Sequence, residues 1–278
     1  MRNLGLRLAF LATVLSSPLA AQSVQSKHAQ IELLSQQSSV GPGPDLLFGV
    51  HFLLEPGWHI YWVNPGDSGQ PPVLQWQLPA GFSAGEIEWP RPERMQSMLQ
   101  LADFGYHNEV LLMVPVHAPA FISNTQPAGL PFAVDVKWLI CREICLPDHA
   151  QLHLSLPLAT TSVPDPAHAA MFAGAQKLLP KPFPRGWKAS AESLKDHFVL
   201  SVRTGKPIAK AEFFPLDAAQ VENAAPQKLE PSAGGLKITL KKSDLLLKPV
   251  AALRGVLVLS GGDAYRVEAP VTAAKGIK

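Results

Sequence analysis

The sequence predicts a mainly β protein, two β-sandwich domains joined by a short helix and a proline-rich linker. Three observations lead there. Short apolar runs with a period of two recur between clusters of turn residues in both halves of the chain. Proline is abundant, 27 in 278 residues, which exceeds a norm of roughly 5%. Between Thr160 and Pro184 the apolar period lengthens toward that of a helix.

In chain order, strands are expected over 31–34, 46–54, 58–63, 73–78, 110–116, 132–140 and 150–156. The last two alternate most clearly. Phe132, Val134, Val136, Trp138 and Ile140 share one face, with Ala133, Asp135 and Lys137 on the other; Leu152, Leu154 and Leu156 alternate with Gln151, His153 and Ser155. Continuing that pleat brings Cys141 out on the polar side, away from the core. Pro147 is expected to keep Cys145 out of the next strand's ladder, because proline donates no backbone hydrogen bond.

A helix follows over 166–179, with Asp165 as N-cap, Pro166 at the first helical position and Ala169, Phe172, Ala175 and Leu179 near helical spacing. Pro180, Pro182 and Pro184 end it and stiffen the linker. Alternation then returns over 197–203, 210–214, 236–241, 250–259 and 265–271, the pattern of a second, smaller sandwich. The expected division is a signal peptide at 1–21, a first domain at 22–160, helix and linker at 161–184 and a second domain at 185–278.

The N-terminus supports export. Arg2 and Arg7 flank and precede an apolar run from Leu8 to Leu15, followed by Ser16, Ser17, Pro18 and alanines, the three regions of a secretory signal. Cleavage is expected after Ala21. That run falls short of the ~20 residues that span a bilayer, and no later run approaches that length, so no stable membrane insertion is expected. The 24 basic and 22 acidic residues, net charge +2, are spread without a block of either sign. A nucleic-acid groove and a polybasic membrane patch are thereby excluded.

The only two cysteines, Cys141 and Cys145, are four positions apart. A ring that small restricts the unfolded chain by only about 2 kcal/mol, against roughly 4 to 5 for a ring of about 100 residues. In an extended strand their Cα atoms would be roughly 13 Å apart, beyond the ~4.4–6.8 Å that a disulfide allows. The chain must therefore fold back between them, which points to a protruding loop. Small exposed rings exchange readily, at a rate set by local charge on the thiol. Lys137 and Arg142 would lower the thiol pKa and Glu143 would raise it. His149 and His153 lie nearby, but the spacing fits no familiar zinc pattern.

Trp138-Leu-Ile-Cys-Arg-Glu-Ile-Cys-Leu-Pro147, with Tyr61-Trp-Val-Asn-Pro-Gly-Asp-Ser-Gly69 and Pro71-Pro72 upstream, resembles the periplasmic N-terminal region of DsbD-type thiol:disulfide interchange proteins, and more closely the branch that includes ScsB. Glu88-Trp-Pro-Arg-Pro92, Phe104-Gly-Tyr106 and Ala211-Glu-Phe-Phe-Pro215 extend the resemblance through nearly all of the mature chain. It implies an immunoglobulin-like fold, a periplasmic location and a Cys141–Cys145 pair that alternates between dithiol and disulfide without a cofactor. It further implies thioredoxin-like periplasmic partners and a membrane-embedded electron carrier acting in trans, the chain serving as a component of a protein-disulfide reductase. By the same resemblance Asp103, Phe104 and Tyr106 match an aromatic cap loop over the cysteines; Phe104 and Tyr106 are equally readable as sandwich aromatics. Cysteine spacing in the better-known DsbD members is wider than Cys-x-x-x-Cys. Two other functions remain open at this stage: a non-catalytic interaction module with a structural disulfide, and a copper-binding protein. Tyr61, Trp62 and Asn64 read as core and turn, and His51, His59 and His107 as structural histidines.

Overall fold

The computed structural model describes residues 23–96, 101–122 and 129–273, so the signal-peptide reading of residues 1–21 falls outside it. The first domain has nine main strands: β1 (Ala29–Ser35), β2 (Leu46–Leu54), β3 (His59–Gly66), β4 (Val73–Gln77), β5 (Glu93–Gln96), β6 (Ala102–His107), β7 (Glu109–His117), β8 (Leu130–Cys141) and β9 (Cys145–Leu156). One sheet pairs β1, β2 and β7, widened by Val24–Gln25 at one edge and Ser83–Ala84 at the other. The opposing sheet runs β9-β8-β3-β6-β5, with β4 lying along β8. This is an immunoglobulin-like sandwich.

Strand alternation fills the space between the sheets. Phe48, Val50 and Phe52 of β2 face Phe132, Val134, Val136 and Trp138 of β8. The Phe48 and Phe132 rings lie 4.7 Å apart, and Phe52 meets Trp138 edge-on at 5.5 Å. On the outside of the β1-β2-β7 sheet, helix α1 (Ala169–Leu178) buries Phe172 and Ala175 against Leu34, Leu111 and Met113. The helix starts three residues later than the sequence suggests. Asp165 accepts from the Ala167 amide at 2.9 Å, closing a turn before the helix proper. At its other end Leu179 is extended, as the residue before Pro180 must be.

Strands β5 and β6 were not expected. β6 contains Asp103 and Gly105, poor strand formers, and is buried on both faces, so its sequence shows no alternation. Gly105 is required by close approach, since a Cβ there would lie 2.0 Å from the Ile60 carbonyl oxygen.

The second domain comprises β10 (Lys188–Ser193), β11 (His197–Arg203), β12 (Ala211–Pro215), β13 (Lys228–Ser232), β14 (Gly235–Lys241), β15 (Ala252–Leu259) and β16 (Ala264–Ala273), in the order β12-β15-β16-β10-β11-β14-β13. β16 runs antiparallel to β15 as far as Pro270 and then parallel to β10, so it belongs to both layers around a core that includes Phe198, Leu200, Phe213 and Ile238.

The domains share apolar material through β12. Its two faces serve two cores: Phe213 belongs to the second domain's interior and Phe214 to the first's, together with Val256 and Ala264. The Phe214 ring lies edge-on to Phe104 at 5.2 Å and to Trp62 at 6.4 Å. The Arg94 guanidinium covers both Phe104 and Phe214 and pairs with Glu212. Phe214→Ala should therefore lower the unfolding free energy by about 3 kcal/mol or more, read from urea denaturation.

Candidate redox site

β8 and β9 form a twelve-pair antiparallel hairpin whose last pair is Cys141 with Cys145, joined by a disulfide, with Cα atoms 4.2 Å apart. Only Arg142, Glu143 and Ile144 lie beyond it, and the Arg142 amide donates to the Ile144 carbonyl at 3.2 Å. Both cysteines are strand residues, which corrects the expectation of a loop set off from the strands. The short Cα spacing is that of a non-hydrogen-bonded pair. Alternation makes Leu139 and Pro147 a pair of the same kind, so the missing Pro147 donor faces the open edge of β9 and costs the ladder nothing. Cys145 consequently joins the ladder despite Pro147.

The pleat carries Cys141 to the face opposite Ile140, as its parity predicts, but that face is covered there. Cys141 is 2% exposed, whereas Cys145 is exposed. Cys141 is the β8 partner of His59 on β3, and His59 is in turn the partner of His107 on β6. His59 and Tyr61 alternate with the core residues Ile60 and Trp62, so they share the outer face with the disulfide. The His59 ring lies 5.2 Å from Tyr61 and 5.7 Å from His107, and its Nε2 is buried without a hydrogen-bond partner. Burial, and then the neighbouring His107, lower its pKa from 6.5 to about 4, so it is neutral at neutral pH.

Residues 64–70 cross this outer face. Gly69, at φ +75°, sits flat on Tyr61; a Cβ there would fall 2.0 Å from the phenol Cζ. The Tyr61 hydroxyl is 3.3 Å from Cys145 Sγ and 3.4 Å from Ser68 Oγ. Ser68 gives its own hydroxyl hydrogen to Asp103 at 2.8 Å and its amide hydrogen at 2.9 Å. A disulfide sulfur carries no hydrogen, so Tyr61 is the donor toward Cys145. Burial raises the Tyr61 pKa and keeps the phenol protonated, while burial also raises that of Asp103. With the Ser68 hydrogen committed to Asp103, the single phenol hydrogen is the one that both Ser68 Oγ and Cys145 Sγ can accept, so Asp103, Ser68, Tyr61 and Cys145 form a row of polar groups that ends on the exposed sulfur.

The structure separates the residues matched to a cap loop. Phe104 and Tyr106 face the sandwich core, with the Tyr106 hydroxyl donating to the Pro90 carbonyl at 2.8 Å. They lie on the opposite face of the sheet from the disulfide, because β6 is a central strand and they alternate with Asp103 and His107. Asp103 alone reaches the disulfide's side. Lys137 is exposed on the same side of β8, opposite His149. Glu143 is exposed at the tip, and Arg142 is held 5.2 Å above Trp58, which also stacks with His28 at 3.7 Å. Tyr61, Ser68 and His59 are the site residues that sequence reasoning assigned elsewhere; the signal available was parity, since 59 and 61 are out of phase with the core. Among the described residues no group of three or more His, Cys, Asp or Glu side chains is placed to hold a metal, and no helix is long and apolar enough to cross a membrane.

Residues 30–157 match the family model of the N-terminal region of the thiol:disulfide interchange protein DsbD. Among solved structures the chain is similar to the N-terminal periplasmic domain of ScsB from Proteus mirabilis, with 17% identity and a TM-score of 0.68 over 91% of this chain and 98% of that one. That likeness shows the fold, both sandwiches included. No curated protein sequence matches the chain.

The buried His59 gives stability a pH slope. The unfolded chain takes up a proton as pH falls below 6.5, whereas the folded protein does so only near 4, so this part of the stability is present above 6.5 and is lost as pH falls toward 4. In thermal unfolding followed by circular dichroism, His59→Gln should show a smaller fall in Tm than the parent between those two values.

Proposed function

Starting from the match of residues 30–157 to the DsbD N-terminal family, we propose that this chain is a periplasmic thiol–disulfide exchange protein that relays electrons through Cys141 and Cys145. The observation that carries the reading is the difference in exposure between the two sulfurs at the hairpin tip. Cys145 is open to a partner while Cys141, one strand further in, is 2% exposed.

In the reducing half of the relay, a thiolate of a dithiol partner attacks Cys145 Sγ. The Cys141–Cys145 bond breaks, its electron pair leaves on Cys141 Sγ and that sulfur takes up a proton. A second partner thiol then attacks its own sulfur in the mixed disulfide, releasing Cys145 as a thiolate and the partner as a disulfide. Two electrons and one proton have then moved onto this chain, and a second proton follows when the Cys145 thiolate is protonated. The delivering half is the same reaction reversed: the Cys145 thiolate attacks an oxidised thioredoxin-like protein and Cys141 resolves the mixed disulfide. The Tyr61 hydroxyl is placed to donate to Cys145 whenever that sulfur is anionic, and charge-assisted hydrogen bonds of this kind are roughly twice as strong as neutral ones.

The surroundings support docking there. Leu139 and Pro147 are on the disulfide's face and, with Gln70, Pro71, Val73 and Lys137, line a groove of about 530 Å³ that begins beside the cysteine pair. Ile144, 63% exposed at the tip, adds an apolar knob. On this reading the donor is a membrane-embedded carrier and the acceptors are thioredoxin-like periplasmic proteins.

Cys141→Ser should accumulate a mixed disulfide through Cys145 with a thioredoxin-like partner, resolved on non-reducing gels, and Cys145→Ser should accumulate little or none. Equal behaviour of both variants and the parent would sink the exchange reading. In glutathione buffers the parent pair should titrate near −200 mV; a bond that stays oxidised there belongs with structural disulfides, which lie below about −300 mV.

A further inference from the structure

Residues 64–70 touch the second domain on one side and the redox site on the other. Asn64 Nδ2 donates to the Pro215 carbonyl at 2.8 Å, and Asn223 Nδ2 donates to Asp67 Oδ1 at 2.9 Å. Asn223 is buried, and its carbonyl accepts from the Arg94 guanidinium. Toward the first domain, Asp67 Oδ2 accepts from the Ala102 amide at 2.8 Å and Ser68 is bound twice to Asp103. The next residue, Gly69, lies against Tyr61. Two asparagines thus tie the segment that packs on the Tyr61 ring to the second domain.

We propose that Asn223 is a positioning residue for thiol–disulfide exchange: through Asp67 and Ser68 the second domain holds the Tyr61 hydroxyl where it donates to Cys145. The inference rests on the exchange reading and gives the second sandwich a part in it. The reasoning concerns where hydrogens can go. Ser68 commits its hydroxyl hydrogen to Asp103, so between Ser68, Tyr61 and the sulfur only the phenol has a hydrogen to give. A thiolate accepts it better than a disulfide sulfur does, so the contact strengthens on reduction and favours the thiolate form of Cys145. Its worth depends on the phenol staying within reach, which the segment enforces from above. Asp67 divides its carboxylate between the two domains; without Asn223 one oxygen loses its partner at the interface and the segment loses its hold on that side.

The test uses the full chain carrying Cys141→Ser, so that Cys145 is the only thiol, and reads the rate of alkylation by iodoacetamide against pH. Asn223→Ser and Tyr61→Phe should each move the midpoint upward; a shift of half a unit is about a threefold loss of thiolate below the midpoint. The double variant should match Tyr61→Phe alone, because both changes act through one hydroxyl. Arg142 and Glu143 at the tip, Lys137 on β8, Asp148 and His149 on β9, His59 and His107 on the sheet and Asp103 behind Ser68 are the same in every variant, so a shift reads the tether. If Asn223→Ser fails to fold by circular dichroism, Asn64→Ser cuts the other tether and is read in the same way. An Asn223→Ser profile that overlays its parent while Tyr61→Phe shifts would overturn the positioning role, and a Tyr61→Phe profile that does not shift would overturn the role of the hydroxyl. Neither result bears on exchange itself, which stands or falls on mixed-disulfide trapping by the two single cysteine variants.

Discussion

The pleat of the β9-β8-β3-β6-β5 sheet governs the rest of this structure. A strand has two faces, and Ile60, Trp62, Trp138 and Ile140 spend one of them on the sandwich core. Whatever alternates with them must lie on the other face, and there the chain places His59, Tyr61, Cys141 and, across the hairpin, Cys145. An uncovered outer face would leave all four in water. Residues 64–70 supply a partial cover, which hides Tyr61 and leaves Cys145 open. The asymmetry between the two sulfurs originates in strand order: Cys141 lies on β8 between β9 and β3, beside His59, whereas Cys145 lies on the edge strand β9.

That segment is held in place by groups distant in sequence. Asn64 bonds to Pro215, Asp67 to Asn223 and Ser68 to Asp103. The bonds to the second domain fit the apolar contacts beside them, because Phe214 places β12 firmly against Trp62 and Phe104. Packing of the two sandwiches and cover of the redox face are one arrangement viewed from two sides.

Much of this was legible in the sequence. Strict alternation in 132–140 and 150–156 gave both hairpin strands, and the spacing of Cys141 and Cys145 demanded a reversal between them. The two-domain mainly β fold and the intervening helix also followed from period and proline placement. Local pattern hid what depended on neighbours. β6 is buried on both faces and carries a glycine for close approach, so Ala102–His107 resembled a loop, and local pattern left Phe104 and Tyr106 equally readable as a cap or as the sandwich aromatics they are. Ser68 sits in a run whose residue types indicate only a turn. Its bond to Asp103 spans 35 positions, which no local spacing encodes. Tyr61 was the nearest to being found, since its phase against Ile60 and Trp62 already set it on the disulfide's side.

Pro147 illustrates how one residue can protect a reactive surface. β9 is the outermost strand of its sheet, and an open edge is a template on which a second copy of the chain could pair. On the exchange function proposed above, such pairing would bring two exposed Cys145 sulfurs into the same neighbourhood and favour covalent self-association over exchange. At the position after next, the edge lacks the donor that continuous pairing needs. The proline therefore leaves the sulfur accessible to proteins that approach from the face of the sheet while discouraging those that would add to its rim.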